Sequence, residues 1–428
     1  MVVVVVGAHG ILGSRVVAEL DRRAVPHLAV ARRCDSRTTG LDLRSEAALD
    51  RLCELAANAT VIYCAQVGGR DRAAAQPWDA FRINAAVPGR LATGVRRMIY
   101  VSGDYVFTTP GAKRPDSPPE PDCVYAASKV AGERAVLAAG SHCTVVRTSG
   151  LYDVTRGPRG MFAGMVDGVE SPDDRITAPT YMPDLVSTLL DLGERAGVLH
   201  AVGPHHLSEY EFHQIASLQW RFDVQPTLSS RPRLGVVLRS SPGIAIRSPA
   251  EVFVRRCTEH RPTGHPVSVF DTVGVVLSGR RHIEPDSDFW GDQAAVAGGS
   301  SACFDAERVV RAYGPNPVVW RKLRSLTPHV TYVLANNGPC DSFEQWVDRY
   351  GLDKIFALTI NSERDNMPKP SDAFRARINA LAAGHRVQLV DDRPDIVAAA
   401  ISWGWHGVIA HRTRTWPVEH YTPNEPLR

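Results

Sequence analysis

Lysine is scarce in this 428-residue sequence: only five of its 49 basic residues are Lys, at positions 113, 129, 322, 354 and 369. The arginines that make up the rest are scattered along the whole chain, and the formal net charge is only +3. Proteins that bind nucleic acid concentrate basic residues on one face or in one segment. The sequence therefore predicts no nucleic-acid partner.

Paired metal-binding cysteines and long apolar runs are also missing. The eight cysteines include no C-x-x-C pair and no zinc-type spacing with His, so we expect free thiols in a reducing compartment. The apolar run Val2–Val6 has no basic segment before it and ends at Gly7, far short of the roughly 20 residues of a membrane span. We expect a cytoplasmic protein with no membrane partner.

The length of the chain exceeds what one hydrophobic core supports. A single core stops growing at about 250–300 residues. Hydrophobic residues make up 44% of the chain and charged residues 22%, which is typical of globular proteins and excludes disordered, collagen-like and coiled-coil chains. We therefore predict two domains, residues 1–262 and 265–415, with a boundary near residue 264.

A glycine-rich loop follows the first predicted strand. This strand, Val2–Val6, runs into Gly7-Ala8-His9-Gly10-Ile11-Leu12-Gly13, and Ser14–Arg22 is predicted as an amphipathic helix. A G-x-x-G-x-x-G turn between strand and helix brings backbone N–H groups and a helix N-terminus to a pyrophosphate. The sequence predicts a dinucleotide site formed by Gly7, Gly10, Ile11, Leu12 and Gly13.

Three later segments are predicted to contact the same dinucleotide. The predicted strand His27–Ala31 ends at Arg32-Arg33, where Arg suits the 2′-phosphate of NADP and an acidic residue would suit NAD; a solvated basic turn is the alternative. Asp42 and Leu43 are expected at the adenine end. A buried strand over Val61–Ala65 and the loop after it place Cys64, Ala65 and Gln66 at the site. We expect NADP(H) or NAD(H) as cofactor.

The segments Met98–Phe107 and Tyr125-Ala126-Ala127-Ser128-Lys129 resemble those of the extended short-chain dehydrogenase/reductases, within them the dTDP-4-dehydrorhamnose reductase group. The likeness runs in collinear order over about residues 1–260. It implies that Tyr125 passes a proton to or from a sugar oxygen. Lys129, one helical turn away on the same face, would lower the pKa of the phenol and hold the nicotinamide ribose.

One position departs from this family. Where its members carry a Thr or Ser hydroxyl that hydrogen-bonds the reacting oxygen, this chain has Gly103. Ser102 is adjacent, but we expect it to point to the opposite face because side chains alternate along a strand. Asp104 could reach the site, although acid or base chemistry would require a raised pKa. The catalytic candidates are therefore Tyr125, Lys129, Ser102 and Asp104.

The second half of the chain resembles a different family. The predicted strand Pro266–Phe270 ends at Asp271, Lys369-Pro370 precedes a helix, and a later strand leads into Asp391-Asp392. This order, over about residues 266–412, resembles the haloacid dehalogenase-like (HAD-like) superfamily. The resemblance implies an Asp271 nucleophile, a charge-neutralising Lys369, and Mg²⁺ held by Asp271, Asp391 and Asp392. Residues 280–328 would form a small helical cap.

Two groups of the HAD-like site are replaced. Val273 stands where the general acid/base Asp is usual, and Ala335 stands where a Ser or Thr holds the phosphoryl group. Loss of the acid alone should slow phosphate-ester hydrolysis by roughly 10²–10⁴-fold. Because the dehalogenases of the superfamily also lack the second Asp, a hydrolase stays open beside a degenerate, structural or interaction domain.

These observations predict an α/β protein. Its N-terminal domain is a Rossmann-type, doubly wound parallel sheet with a small substrate-binding part, and its C-terminal domain is HAD-like and Rossmannoid with a small cap. The leading hypothesis is reduction of a ketosugar carbonyl on a nucleotide- or nucleoside-linked sugar. The alternatives are a cofactor-retaining dehydratase or epimerase, a non-catalytic nucleotide-binding regulatory protein, and a C-terminal phosphatase. The oligomeric state stays open, with a homodimer among the alternatives.

Overall fold

A computed structural model describes residues 2–109, 111–154, 159–160, 168–229, 236–254, 265–279, 306–324, 326 and 329–410. The chain divides into two compact units. Unit 1 comprises Met1–Met165, Arg175–Leu207 and Arg231–Ser248, and unit 2 comprises Val166–Asp174, Ser208–Ser230 and Pro249–Arg428. The predicted boundary near residue 264 lies outside the described residues, as do residues 411–415. Unit 2 also includes two segments that lie wholly before that boundary, and its last segment begins before it, at Pro249. The sequence order alone therefore does not give this division.

Unit 1 is built around a seven-stranded sheet. In spatial order its strands are β13 (Gly197–His200), β7 (Cys143–Thr148), β5 (Arg97–Gly103), β4 (Thr60–Tyr63), β1 (Val3–Val6), β2 (His27–Ala31) and β3 (Thr39–Gly40). Every neighbouring pair is parallel. All four residues of β1 are buried, as expected for a central strand covered on both faces.

Helices cover both faces of this sheet. On β2, Val30 packs into the large core cluster, whereas its neighbours Ala29 and Ala31 pack on the other face, against Val17. The helices of unit 1 are α1 (Gly13–Arg22), α2 (Glu46–Ala56), α3 (Arg70–Ala75), α4 (Pro77–Phe81), α5 (Val87–Ala92), α6 (Val124–Ala138) and α7 (Met182–Leu190), with a π-helix at Arg82–Ala86 and a 3₁₀ turn at Asp104–Val106. The predicted α/β class with a Rossmann-type parallel sheet is confirmed for this unit.

Short strands complete unit 1. They are β6 (Gly111–Lys113), β8 (Leu151–Asp153), β9 (Arg159–Gly160), β11 (Ile176–Thr177), β12 (Thr180–Tyr181) and β16 (Val236–Leu238). The strand β14 (Leu207–Ser208) contains the junction between the two units.

Unit 2 contains a second parallel sheet. Its spatial order is β21 (Leu358–Asn361), β20 (Thr331–Asn336), β17 (Val267–Asp271), β22 (Val387–Asp391) and β23 (His406–Ile409). All four neighbouring pairs are parallel. Its core combines Val269, Val333 and Leu389 of the sheet with Phe374 and Ile396 of the helices.

The other elements of unit 2 include parts of both halves of the sequence. The additional strands are β10 (Val169–Pro172), β15 (Val224–Thr227), β18 (Leu277–Gly279) and β19 (Tyr313–Pro315). The helices are α8 (Glu209–Trp220), α9 (Pro249–Phe253), α10 (Ala306–Ala312), α11 (Pro317–Leu323), α12 (Cys340–Tyr350), α13 (Leu352–Ile355), α14 (Asp372–Ala382) and α15 (Pro394–Ser402). Of the predicted cap, residues 280–305 lie outside the described residues; the described part holds α10 and α11, and also β19, which pairs antiparallel with β18. In the described part of the chain, no helix is both long and apolar enough to cross a membrane.

Candidate functional site

A cleft lies in unit 1 where the strand order of the sheet reverses. The chain passes from β1 outward to β2 and β3 and then returns to β4 on the other side of β1. The loops after β1 and β4 therefore diverge and leave a crevice at the carboxyl ends of the strands. The cavity there has a volume of about 590 Å³. The predicted site residues in its lining are Gly7, Gly10, Ile11, Leu12, Arg32, Asp42, Leu43, Cys64, Ala65, Gln66, Ser102, Asp104 and Tyr125.

Two glycines of the loop are required by close packing. Gly7 has φ +90°, and a Cβ there would lie 2.6 Å from the backbone nitrogen of Ala65. A Cβ on Gly13 would lie 2.2 Å from the carbonyl oxygen of Gly7. Gly13 is not part of the cleft lining, so its role differs from the predicted one: it lets α1 begin directly under the loop.

The start of α1 suits an anionic group. Its N-cap residue, Leu12, provides no side-chain hydrogen bond, and the first turn contains no acidic residue. The first N–H groups of a helix have no intrahelical partner and carry partial positive charge. The loop and helix start therefore fit the pyrophosphate of a dinucleotide.

The two arginines after β2 have different surroundings. Both residues are exposed; Arg32 lines the cleft and has no ion-pair partner among the described residues, whereas Arg33 is not part of the lining. Of the two arginines, only Arg32 is placed at the cleft as predicted. Arg44, which we did not predict, also lines it but donates to Asp42 (Nη2 to Oδ2, 2.6 Å). This contact holds the pKa of Asp42 at about 2.

Tyr125 and Lys129 lie on consecutive turns of α6. The Tyr125 hydroxyl donates to Oε1 of Gln66 at 3.0 Å. The Lys129 ammonium is buried, donates to the carbonyl oxygen of Val101 at 2.7 Å, and lies 4.2 Å from the centre of the Tyr100 ring. Lys129 is not part of the cleft lining, because it reaches from the helix into the sheet below the cleft.

The pKa values of this pair differ from the prediction. Burial raises the pKa of Tyr125, and the carboxylate of Asp104 raises it further. Burial lowers the pKa of Lys129 to about 7, against the opposing effect of Glu133. The expected lowering of the phenol pKa is therefore not found: burial, which removes water from the phenolate, and the carboxylate of Asp104 both raise it. Tyr125 is held as a neutral phenol, the form that can donate a proton.

Asn84 is a part of this site that the sequence did not suggest. It lies in the π-helix Arg82–Ala86 and is fully buried. Its Nδ2 donates to Oγ of Ser128 at 2.9 Å, and its carbonyl oxygen accepts from the Tyr100 hydroxyl at 2.6 Å. Asn84 thus links β5, through Tyr100, to α6, the helix that carries Lys129. The π-helix, a feature frequent at functional sites, has no recognisable signature in the sequence.

The strand end at Ser102 and Gly103 keeps the alternation of side chains. β5 extends through both residues, and Gly103 has φ −143° and ψ 172°. The Ser102 hydroxyl is buried and finds no hydrogen-bond partner in the described part of the chain. Asp104 is buried in the following 3₁₀ turn and accepts from the Ser149 hydroxyl at 2.6 Å. Each of the three positions lines the cleft.

A second charged cluster lies in unit 2, at the carboxyl ends of β17 and β22. These strands are neighbours at the point where the order of the five-stranded sheet reverses. The Lys369 ammonium donates to Oδ1 of Asp271 at 2.5 Å and to Oδ2 of Asp391 at 2.7 Å. Burial raises the pKa of Asp271, partly opposed by Lys369. Burial would lower the pKa of Lys369, but the two carboxylates raise it.

A third carboxylate completes a set of donors for a cation. One ligand oxygen each from Asp271, Asp391 and Asp392 lies within 4.8 Å of the others. A Cβ on Gly274 would lie 2.1 Å from Oδ2 of Asp392, so only glycine leaves room for this carboxylate. Carboxylate oxygens suit Mg²⁺, and the cluster fits the predicted metal. The adjoining cavity, of about 180 Å³, is also lined by Val273, which offers no acid or base.

Comparison with known proteins places residues 1–233 in one family: they match the family model described as the RmlD substrate binding domain. The dTDP-4-dehydrorhamnose reductase of Mycobacterium tuberculosis (strain ATCC 25618 / H37Rv) is 34% identical over 226 residues, which are 48% of this chain and 71% of that protein. Methionine adenosyltransferase 2 subunit beta of Xenopus tropicalis is 31% identical over 228 residues, 48% of this chain and 68% of that protein.

A solved structure shows the same fold. The dTDP-4-dehydrorhamnose reductase of Bacillus anthracis str. Ames, crystallised in complex with NADP, superposes with a TM-score of 0.51 at 23% identity. The match covers 58% of this chain and 95% of that one. At this identity the similarity establishes the fold of the matched part.

Proposed function

The chain belongs to the RmlD substrate binding domain family, and from this we propose that it is an NAD(P)-dependent oxidoreductase that reduces the carbonyl group of a sugar linked to a nucleotide or nucleoside. Relatives 34% identical to it are dTDP-4-dehydrorhamnose reductases. The observation that carries the proposal is the Tyr125 phenol, which lines the same cleft as the glycine loop.

Each residue of the proposed site has a defined task. The loop at Gly7 and Gly10 and the start of α1 bind the pyrophosphate. Tyr125, kept neutral by burial, donates its proton to the carbonyl oxygen as that oxygen gains charge. Lys129, whose pKa burial lowers to about 7, carries a positive charge beneath the site in its protonated form, and this form stabilises the phenolate that Tyr125 becomes. The bound nicotinamide supplies the hydride.

The test of this proposal is consumption of reduced coenzyme by the purified chain. With dTDP-4-dehydrorhamnose as the first probe and other nucleotide sugars after it, stoichiometric loss of NADPH absorbance is expected. A coenzyme that stays bound and is not consumed while the sugar changes would instead support the dehydratase or epimerase. Coenzyme binding without any turnover would support a regulatory protein. Two observations favour this alternative: Gly103 lacks the usual hydroxyl, and the chain is similar to methionine adenosyltransferase 2 subunit beta.

Arg32 is proposed to select NADPH. Replacing it with Ala should raise the dissociation constant of NADPH by about 10- to 100-fold, because a charge-assisted hydrogen bond contributes about 1.5–3 kcal/mol, and should leave NADH binding unchanged. Titration of coenzyme fluorescence measures both constants. Arg33→Ala is the matched control, since Arg33 is not part of the cleft lining. Equal losses for the two coenzymes, or an equal loss in the control, would contradict the assignment.

For the C-terminal part of the chain we propose a HAD-like domain, residues 265–415, that follows an NAD(P)-binding domain at residues 1–262 and has lost phosphatase activity. The supporting observations are the hydrogen bonds of Lys369 to Asp271 and Asp391 at the carboxyl ends of β17 and β22. Val273 lines the adjoining cavity, and Ala335 is in register with Asp271 in the neighbouring strand; neither side chain offers the carboxylate or hydroxyl that the superfamily uses.

The phosphatase assay tests this loss directly. With an alkyl phosphate, whose alkoxide leaving group must be protonated, and Mg²⁺, the wild-type chain and Asp271→Asn should have the same background rate, because Val273 stands where the acid is usual. Magnesium-dependent turnover that disappears in Asp271→Asn would instead establish a hydrolase. A calorimetric Mg²⁺ titration of both proteins separates metal binding from catalysis.

A further inference from the structure

The proposed reduction lacks one hydrogen-bond donor at its expected place. At Gly103 a hydroxyl to accompany Tyr125 is missing. Of the described atoms, a single one would lie within 4 Å of a Cβ added at Gly103, the carbonyl oxygen of Thr148 at 3.8 Å. The backbone there is extended, so any residue could occupy it. The space that a hydroxyl would fill is therefore open.

Thr148 is the cross-strand neighbour of this position. In the parallel pairing of β5 and β7, Gly103 is in register with Thr148 and Ser102 with Arg147. Paired residues of neighbouring strands present their side chains on the same face, and successive residues alternate. Thr148 therefore lies on the face of the absent side chain. Ser102 also lines the cleft, but its side chain lies on the opposite face of the strand pair, with Arg147, whose guanidinium is paired with Glu133 of α6.

The hydroxyl of Thr148 has no hydrogen-bond partner among the residues that the structure describes. Thr148 is 5% exposed and lines the cleft, and its Oγ1 is buried. Nearly all buried polar atoms in proteins are hydrogen-bonded, so an unpaired one at a cleft indicates a missing partner. A bound carbonyl oxygen would provide this partner.

We propose that Thr148 replaces the missing hydroxyl of position 103 and donates a hydrogen bond from Oγ1 to the carbonyl oxygen of the sugar. This inference rests on the proposed reductase function and adds a catalytic residue to it. The hydroxyl keeps its proton: Tyr125 transfers the proton to the oxygen, and Thr148 stabilises the negative charge that develops on that oxygen.

The experiment compares side chains of matched shape. Thr148→Val removes the hydroxyl and keeps the volume, and kcat should fall by about 10²–10³-fold, the usual loss for one such donor. Thr148→Ser keeps the hydroxyl and should stay within a few-fold of wild type. Coenzyme dissociation constants and melting temperatures should be unchanged in both, which separates a lost donor from a damaged fold.

A second set of variants tests whether a hydroxyl at position 103 can replace the hydroxyl of Thr148. In the Thr148→Val background, Gly103→Ser should restore kcat at least about tenfold, a part of the contribution of one donor, whereas Gly103→Ala, which adds only the Cβ, should restore none. Unchanged kcat in Thr148→Val, or an equal loss in Ser102→Ala, would overturn the assignment. If the wild-type protein is active and Tyr125→Phe is not, either of these two results contradicts the role of Thr148 but leaves the proposed reductase function standing. If the wild-type protein shows no activity, both the proposed function and the role of Thr148 are overturned.

Discussion

Tyr125→Phe should lower kcat by about 10²–10⁴-fold, the contribution of a positioned general acid. The substitution removes the hydroxyl that donates to Gln66 and keeps the ring against Tyr105, 6.0 Å away between centres. Because the hydroxyl lies at the sugar end of the proposed site, coenzyme binding should change little. Steady-state NADPH consumption and a coenzyme titration measure the two effects.

The neighbouring Tyr105 provides the control for this variant. It lines the same cleft and has its own hydroxyl, so Tyr105→Phe makes the same chemical change without touching the proposed proton donor. Its kcat should stay within a few-fold of wild type. If Tyr125→Phe retained most of its activity, proton donation by this residue would be excluded, whatever the coenzyme measurements gave.

Glu211→Ala should destabilise unit 2 by about 3–5 kcal/mol, the usual result of removing one partner of a buried ion pair. Glu211 is fully buried in the first turn of α8 and accepts from the Tyr350 hydroxyl and from Arg349. It also accepts from the backbone nitrogen of Ser208 in a capping box. The variant leaves all of these donors without their acceptor.

Urea unfolding followed by tryptophan fluorescence measures this loss, because Trp320 is buried against the Tyr350 ring at 5.7 Å. Glu344→Ala is the control: Glu344 lies on the same helix as Tyr350, and its contact with Arg364, at 3.9 Å, is exposed. An exposed pair contributes under about 1 kcal/mol. A similar shift of the urea midpoint in both variants would show that Glu211 contributes no more to the stability of unit 2 than an exposed glutamate does.

The position of Glu211 has a consequence for how the chain is organised. It falls within the part of the sequence that matches the RmlD family, residues 1–233, yet its partners Arg349 and Tyr350 come from the second half of the chain. Since a buried carboxylate is stable only with its donors in place, helix α8 depends on the C-terminal residues. The C-terminal part therefore contributes to the packing of α8 in unit 2 even without catalysis.

The sequence was most informative where local chemistry suffices. A run of valines can form only a buried strand in this context, and the glycines at positions 7 and 13 are required by backbone contacts below 3 Å. The spacing of Tyr125 and Lys129 fixes them on one face of a helix. Asp271 and Asp391 were expected at strand ends, and they lie together because parallel strands share one carboxyl edge.

Contacts between distant segments were decided by the tertiary structure. The pairing of Gly103 with Thr148, the π-helix that carries Asn84, and the burial that sets the pKa of Tyr125 and Lys129 all depend on the register and packing of elements far apart in sequence. The same holds for the different surroundings of Arg32 and Arg33.

The sequence by itself thus determined two α/β regions and the residue types of both sites, since these follow from periodicity, glycine geometry and motif order. Only the tertiary structure decided how the segments divide into compact units and which hydroxyl stands beside the open position at Gly103. The physical reason is that strand register and burial depend on how distant segments pack together, whereas a sequence motif depends only on residues that are close together in the sequence.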